Sequence, residues 1–129
     1  MKPIKLSELV DQISDAIGNR FTGKTFWITS EITDVKKKES VRRCYLKFIE
    51  KENSYINTEI RSVFWSNYYS EIENFEKITG QKFSDGLKIT CNVRVRFHPR
   101  YGLNLDVIQI DLAYALGKLN LKNSRHLND

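Results

Sequence analysis

The segment NYYSEIENFEKIT, residues 67–79, breaks the prevailing rhythm of this chain. Tyr68, Ile72, Phe75 and Ile78 recur there at helical spacing, whereas the blocks on either side alternate with a period of two. Gly80 suits the left-handed position that follows a helix end. Three alternating runs precede this segment with no helix between them, which reads as a meander, and two more runs follow it. A single helix between the third and fourth of five strands limits the choice of architecture more than any compositional figure does.

The first run, Phe26 to Val35, has Phe26, Ile28 and Ile32 on one phase and Trp27, Thr29, Glu31 and Thr33 on the other. Its phase slips near Asp34-Val35, which predicts a bulge or the strand end. KKKESVRR, residues 36–43, carries five basic residues and one acid and reads as a loop. In RCYLKFIE, Cys44, Leu46 and Phe48 take the apolar phase; Arg43, Tyr45 and Lys47 take the other. KENSY, residues 51–55, reads as a polar turn. INTEIRSVFW follows, with Ile56, Ile60 and Phe64 in phase and Asn57, Glu59, Arg61, Val63 and Trp65 opposite.

Beyond the helix, LKITCNVRVRF places Ile89, Cys91, Val93, Val95 and Phe97 on one phase and Asn92, Arg94, Arg96 and His98 on the other. In the last strand Leu103, Leu105 and Val107 alternate, and Ile110 and Leu112 resume after a slip. Upstream, Leu6, Leu9, Val10, Ile13 and Ile17 form one face of an amphipathic helix over residues 6–17, with Ser7 as a possible N-cap and Gly18 as a stop. The polar tail, in which Leu116, Leu119 and Leu127 could begin another helix, ends the chain. This order is that of a mostly β, five-stranded OB-fold, a small partly open Greek-key barrel, with an added N-terminal helix. Another small barrel with a helical insertion, or an open α+β sheet, is the competing architecture. One domain over 1–117 is expected, with 118–129 as a tail or the start of a connection.

Several function classes are excluded or disfavoured. The 129 residues, 40% hydrophobic and 12% aromatic, are enough for one real core. A net charge of +5 favours polyanionic partners, although many basic domains merely have solvated faces. Cys44 and Cys91 lie on apolar phases and read as core, and His98 and His126 are far from them, so neither a zinc site nor a disulfide scaffold is expected. The N-terminus lacks the apolar core of a signal peptide, and no run reaches the ~20 apolar residues of a membrane span. The chain reads as cytoplasmic and makes no membrane contact. Its acids are scattered, Glu31 being the one inside a strand ladder, and Gly-rich phosphate loops are missing. The chain alone is therefore expected to be non-catalytic, with no cofactor and no metal.

Binding is the better prospect. An OB barrel grips single strands by combining a basic groove with aromatic platforms, cations following phosphates and rings stacking on unpaired bases. Arg43, Tyr45 and Lys47 on the second strand, Arg61 and Trp65 on the third, and Trp27 on the first are the candidate face. Lys36, Lys37, Lys38 and Arg42 crowd the first connection, and His98, Arg100 and Tyr101 the last, the two connections that flank the binding face in this fold.

WITSEITDV (27–35), CYLKFIEKE (44–52), ITGQKFSDGLKI (78–89) and FHPRYGLNLDVIQID (97–111) together resemble the N-terminal OB-fold domain of the exodeoxyribonuclease VII large subunit. The similarity runs from Ser7-Glu8-Leu9 to about Gly117. It departs from the family at Arg43, where a His is common, and at Ile110-Asp111-Leu112, where Ile-Asp-Pro is common. The resemblance implies a single-stranded DNA-binding module that serves exonucleolytic cleavage to oligonucleotides. Hydrolysis would belong to a C-terminal domain outside this chain, and a small helical subunit would assemble through that region. An OB-fold protein-interaction module, docking a neighbouring domain or subunit, and an RNA-binding OB module are the alternative readings.

Overall fold

The computed structural model describes residues 1–118. Five strands, β1 (Phe26–Lys38), β2 (Arg43–Glu52), β3 (Tyr55–Phe64), β4 (Lys88–His98) and β5 (Gly102–Ile110), form a closed barrel in the order β1-β2-β3-β5-β4. Helix α1 (Leu6–Phe21) precedes the barrel, and α2 (Ser70–Thr79) lies between β3 and β4. The expected OB-fold is thus present, and it is fully closed: the first half of β1 pairs with β4, from Phe26↔Val93 to Glu31↔Lys88. The second half pairs with β2, from Glu31↔Ile49 to Lys38↔Arg43. β3 and β5 run parallel through Ser62↔Leu105 and Val63↔Asp106.

One strand serves two neighbours because it bends. Its register shifts between Thr33 and Lys36, and Asp34 adopts a left-handed φ of 52°. This is the bulge expected from the phase slip, and Asp85 Oδ1 accepts the Val35 N–H there at 2.8 Å. The second slip is also a bulge: Asn92 opposes Gln109 but Val93 opposes Val107, leaving Ile108 as the extra residue. The β2–β3 turn is tighter than the sequence suggests. Only Asn53 and Ser54 remain outside the strands, both at positive φ, the two-residue geometry that matches strand twist.

Three expectations change. Lys36, Lys37 and Lys38 are not loop residues; they continue β1 beyond the bulge, and the connection shrinks to a short 3₁₀ turn at Glu39–Val41 followed by left-handed Arg42. Helix α1 runs through Gly18 to Phe21, and its N-cap is Lys5, without a side-chain cap, rather than Ser7. Ile56, Ile78 and Leu103 lie on the surface, because the β2–β3 hairpin, the last turn of α2 and the β4–β5 hairpin each project past the core. Residues 112–118 are helical, with Asp111 Oδ1 accepting the Tyr114 N–H at 3.2 Å; Leu119, Leu127 and His126 lie outside the described residues.

The barrel interior holds Ile32, Cys44, Leu46, Phe48, Phe64, Ile89, Cys91, Val93 and Val107, with Ile72 and Phe75 of α2 closing one end. Burial pushes the Cys44 thiol up to about 11 and the Cys91 thiol higher still, so both are packing groups and not nucleophiles. Phe83, in the α2–β4 connection, fills the gap between barrel and helix. Its ring stands edge-on to Phe64 and to Phe75, each at 5.6 Å between centroids.

Helix α2 is tied to the barrel by charge as well. Lys37 Nζ lies 2.6 Å from Glu76 Oε2, and the same oxygen accepts the Phe83 N–H at 2.8 Å. Burial works to raise the Glu76 carboxyl, but the Lys37 and Phe83 hydrogen bonds and the nearby lysine charges overcome it and leave the group below the usual range. A lowered folded value means stabilisation that is complete above the ordinary glutamate range and is lost as pH falls through the folded value. Glu76→Gln keeps an acceptor for Phe83 but loses the charge pair. It is expected to cost about 1 kcal/mol at neutral pH. Urea unfolding from pH 7 down to pH 3 should show the wild-type and variant stabilities converging in acid; a constant gap would place the loss in packing.

Candidate nucleic-acid interface

Where β1 leaves β4 and turns over β2, the outer barrel face is concave. A groove of ≈ 630 Å³ opens there, lined by Asp34 and Lys36 of β1, Tyr45 and Lys47 of β2, and Arg61 and Val63 of β3. Trp65, Arg96, His98, Tyr101 and Asn104 complete its far wall. Alternation explains the composition: these β2 and β3 positions are the phase facing away from the core.

The aromatic rings each carry a cation. Lys38 Nζ lies 5.4 Å from the Tyr45 centroid, and the Arg100 guanidinium lies 5.5 Å from that of Tyr101. Arg43 and Arg96 both sit 5.3 Å from the Trp65 ring. These distances lie within cation–π range. Arg61 Nη2–H donates to the Tyr101 carbonyl at 2.8 Å, joining β3 to the β4–β5 turn. His98 organises that turn: its Nδ1 accepts the N–H groups of Arg100 (3.1 Å) and Tyr101 (3.3 Å), and its ring lies 4.7 Å from Tyr101.

Of the residues singled out in the sequence, Lys36, Tyr45, Lys47, Arg61, Trp65, His98 and Tyr101 line the groove. Lys38, Arg43 and Arg100 flank it through their ring contacts. Three stand elsewhere. Trp27, 54% exposed, lies opposite Asn92 on the β1–β4 side, outside the groove lining. Lys37 points the other way, into its pair with Glu76. Arg42 makes two hydrogen bonds to Glu73, at 2.8 and 3.1 Å, and covers Tyr69; the Glu73 hydrogen bond raises Arg42 and the reciprocal bond lowers Glu73.

Inside the groove the cations are unequal. Lys47 Nζ lies 3.2 Å from Asp34 and 3.7 Å from Glu59, and the Asp34 hydrogen bond followed by the Glu59 charge holds the ammonium above its ordinary value. Arg96 is paired with Asp106. Among the described residues, Lys36, Lys38, Arg43, Arg61 and Arg100 have no carboxylate partner. The groove thus has an unneutralised wall toward the two connections and a compensated end at Asp34–Lys47–Glu59. Arg96 and Asp106 were not singled out in the sequence. Arg96 shares the phase of His98 two residues away, which is a usable signal; Asp106 has none, because its burial depends on the parallel β3–β5 pairing.

Residues 4–111, the whole barrel with its leading helix, match the OB-fold nucleic acid binding domain family. The chain belongs to this family. The OB-fold domain is also similar to the N-terminal part of the exodeoxyribonuclease 7 large subunit of Deinococcus radiodurans, 26% identical over 126 residues. That match covers 92% of this chain but 29% of the relative, so the OB-fold domain spans less than a third of that protein's length. Among solved structures, it overlaps a small single-stranded DNA binding protein from Mycoplasma pneumoniae with a TM-score of 0.44 at 11% identity, covering 67% of this chain and 83% of the other. The SSB domain of a Synechococcus sp. protein gives 0.42 at 8%, covering 67% and 91%. No helix among the described residues is long and apolar enough to cross a membrane.

Proposed function

We propose that this OB-fold domain binds single-stranded DNA along the groove. On this reading it belongs to an exodeoxyribonuclease VII large subunit and delivers the strand to a hydrolytic C-terminal domain. The small subunit would join through that same C-terminal region. The observation that carries the reading is the placement of three rings, Tyr45, Trp65 and Tyr101, along one groove whose outer wall is cationic. Rings of this kind accept the faces of unpaired bases, which a duplex keeps stacked inside, while cations beside them follow the phosphates. The similarity to the exodeoxyribonuclease 7 large subunit supports the choice of DNA and of exonucleolytic cleavage.

Fluorescence anisotropy with labelled oligonucleotides tests this. The chain is expected to prefer a single strand over the corresponding duplex and to tolerate changes of sequence. Tyr45→Ala is expected to weaken single-strand binding by about 1 kcal/mol, the low end for a stacked base, because Lys38 already covers part of that ring. Equal affinity for duplex and single strand, with Tyr45→Ala silent, would remove stacking from the account.

A further inference from the structure

Two acids at the groove work against a polyanion: Asp34 in its lining, already paired with Lys47, and Asp106 behind it. Asp106 is 8% exposed on β5 and is bonded to the lining residues Trp65 and Arg96. Its Oδ1 accepts the Trp65 Nε1–H at 2.9 Å, and Arg96 Nε–H lies 3.0 Å from Oδ1 and 3.2 Å from Oδ2. The Arg96 guanidinium lies in turn over the Trp65 ring at 5.3 Å. The barrel order β2-β3-β5-β4 explains the meeting. Trp65 follows β3, Asp106 lies on the next strand, Arg96 on the one after, and Arg43 reaches the same ring from β2.

We infer that Asp106 is a positioning residue: it locks the Trp65 indole and the Arg96 guanidinium into one fixed platform against which an unpaired base stacks. The inference rests on the single-strand reading of the groove and adds to it the group that sets the platform's geometry. Asp106 acts by preorganisation. A Trp at a groove rim and a long Arg each have rotamers to lose when a base arrives, and ordering them in advance removes that cost from binding. A carboxylate is suited to this, since one oxygen can accept from both side chains and the other from Arg96 alone. Coulomb's law alone gives the opposite expectation. Asp106 cancels one cation and repels phosphate, so neutralising it would strengthen binding.

That opposition of sign makes the test decisive. Asp106→Asn is compared with the wild-type 129-residue chain for binding to a fluorescein-labelled oligothymidylate across a salt series. The positioning role predicts binding weaker by about fivefold or more at every salt, the loss of one stacked base. The dependence on salt should stay as steep or become slightly steeper, because Arg96 is released. A Trp27→Phe background leaves Trp65 as the sole tryptophan, and its quenching by the oligonucleotide should diminish in Asp106→Asn. In a Trp65→Phe background the effect of Asp106→Asn should shrink to about twofold, because the two act as one unit. Arg96→Lys, which keeps the cation and loses the fork, is the second variant and should also weaken binding if Asp106→Asn fails to fold by circular dichroism. Equal or tighter binding by Asp106→Asn, or by Arg96→Lys, overturns the positioning role while leaving the groove as the binding site. Absence of single-strand binding by the wild-type chain overturns both.

Discussion

Single-strand binding is expected to weaken about 20–50-fold as salt rises from about 50 to about 200 mM. The expectation follows if roughly three to four phosphates are neutralised at the usual single-strand counterion slope. Five cations with no carboxylate partner among the described residues, Lys36, Lys38, Arg43, Arg61 and Arg100, are available for those contacts. Lys37, Arg42 and Lys47 contribute little, because each already faces a carboxylate. Replacing Lys36 and Lys38 together by Gln should flatten the salt dependence, and Lys47→Gln should leave it nearly unchanged. Anisotropy titrations at four or five salt concentrations measure the slope. A slope unaffected by the Lys36/Lys38 change would make that wall an ordinary solvated surface.

Phe83→Ala is expected to be the most damaging substitution in the fold, costing about 3–5 kcal/mol. The ring is 1% exposed and meets Phe64 and Phe75 edge-on, so its removal leaves a cavity walled by a strand and a helix. Neither wall can collapse easily. Phe64 is held in the β2–β3 ladder opposite Cys44, and α2 is tied by Glu76 to Lys37 and to the Phe83 amide itself. Urea unfolding followed by circular dichroism should show the midpoint falling at unchanged slope. A loss below about 1 kcal/mol would mean that the α2–β4 connection repacks, and that the helix is not pinned as its contacts imply.

The strands were readable because their apolar residues keep to one phase of a two-residue period, despite polar residues at Ser30, Thr58 and Ser62 and a slip at each bulge, and the helix because its period differs. What was hidden shares one cause: it depends on partners distant in sequence. Phe83 lies in a connection with no period, so nothing local marks it as core. The lysine run conceals alternation because all three residues are alike, yet Lys37 points toward α2 while Lys38 approaches Tyr45. Asp106 looks like a solvent-facing acid until Trp65 and Arg96 arrive from neighbouring strands. The binding face was legible in outline, since Tyr45, Lys47, Arg61 and Trp65 share the outward phase of adjacent strands. Trp27 shares that phase too, but the bend of β1 at Asp34 separates its outward residues into two surfaces.

That same division of β1 has a consequence for how the barrel is made during synthesis. Its second half finds β2 within a few residues, but its first half waits for β4, with Phe26 and Val93 pairing across most of the chain. At ribosomal speeds of about 5–20 residues per second, roughly 3–12 s separate the emergence of the two. Throughout that interval the nascent meander presents the Phe26–Glu31 segment as an unpaired strand edge bearing Trp27 and Ile28, the kind of edge that other chains can join. The residues of β4 that cover this edge thus end its most vulnerable moment before β5, between β3 and β4, completes the cylinder.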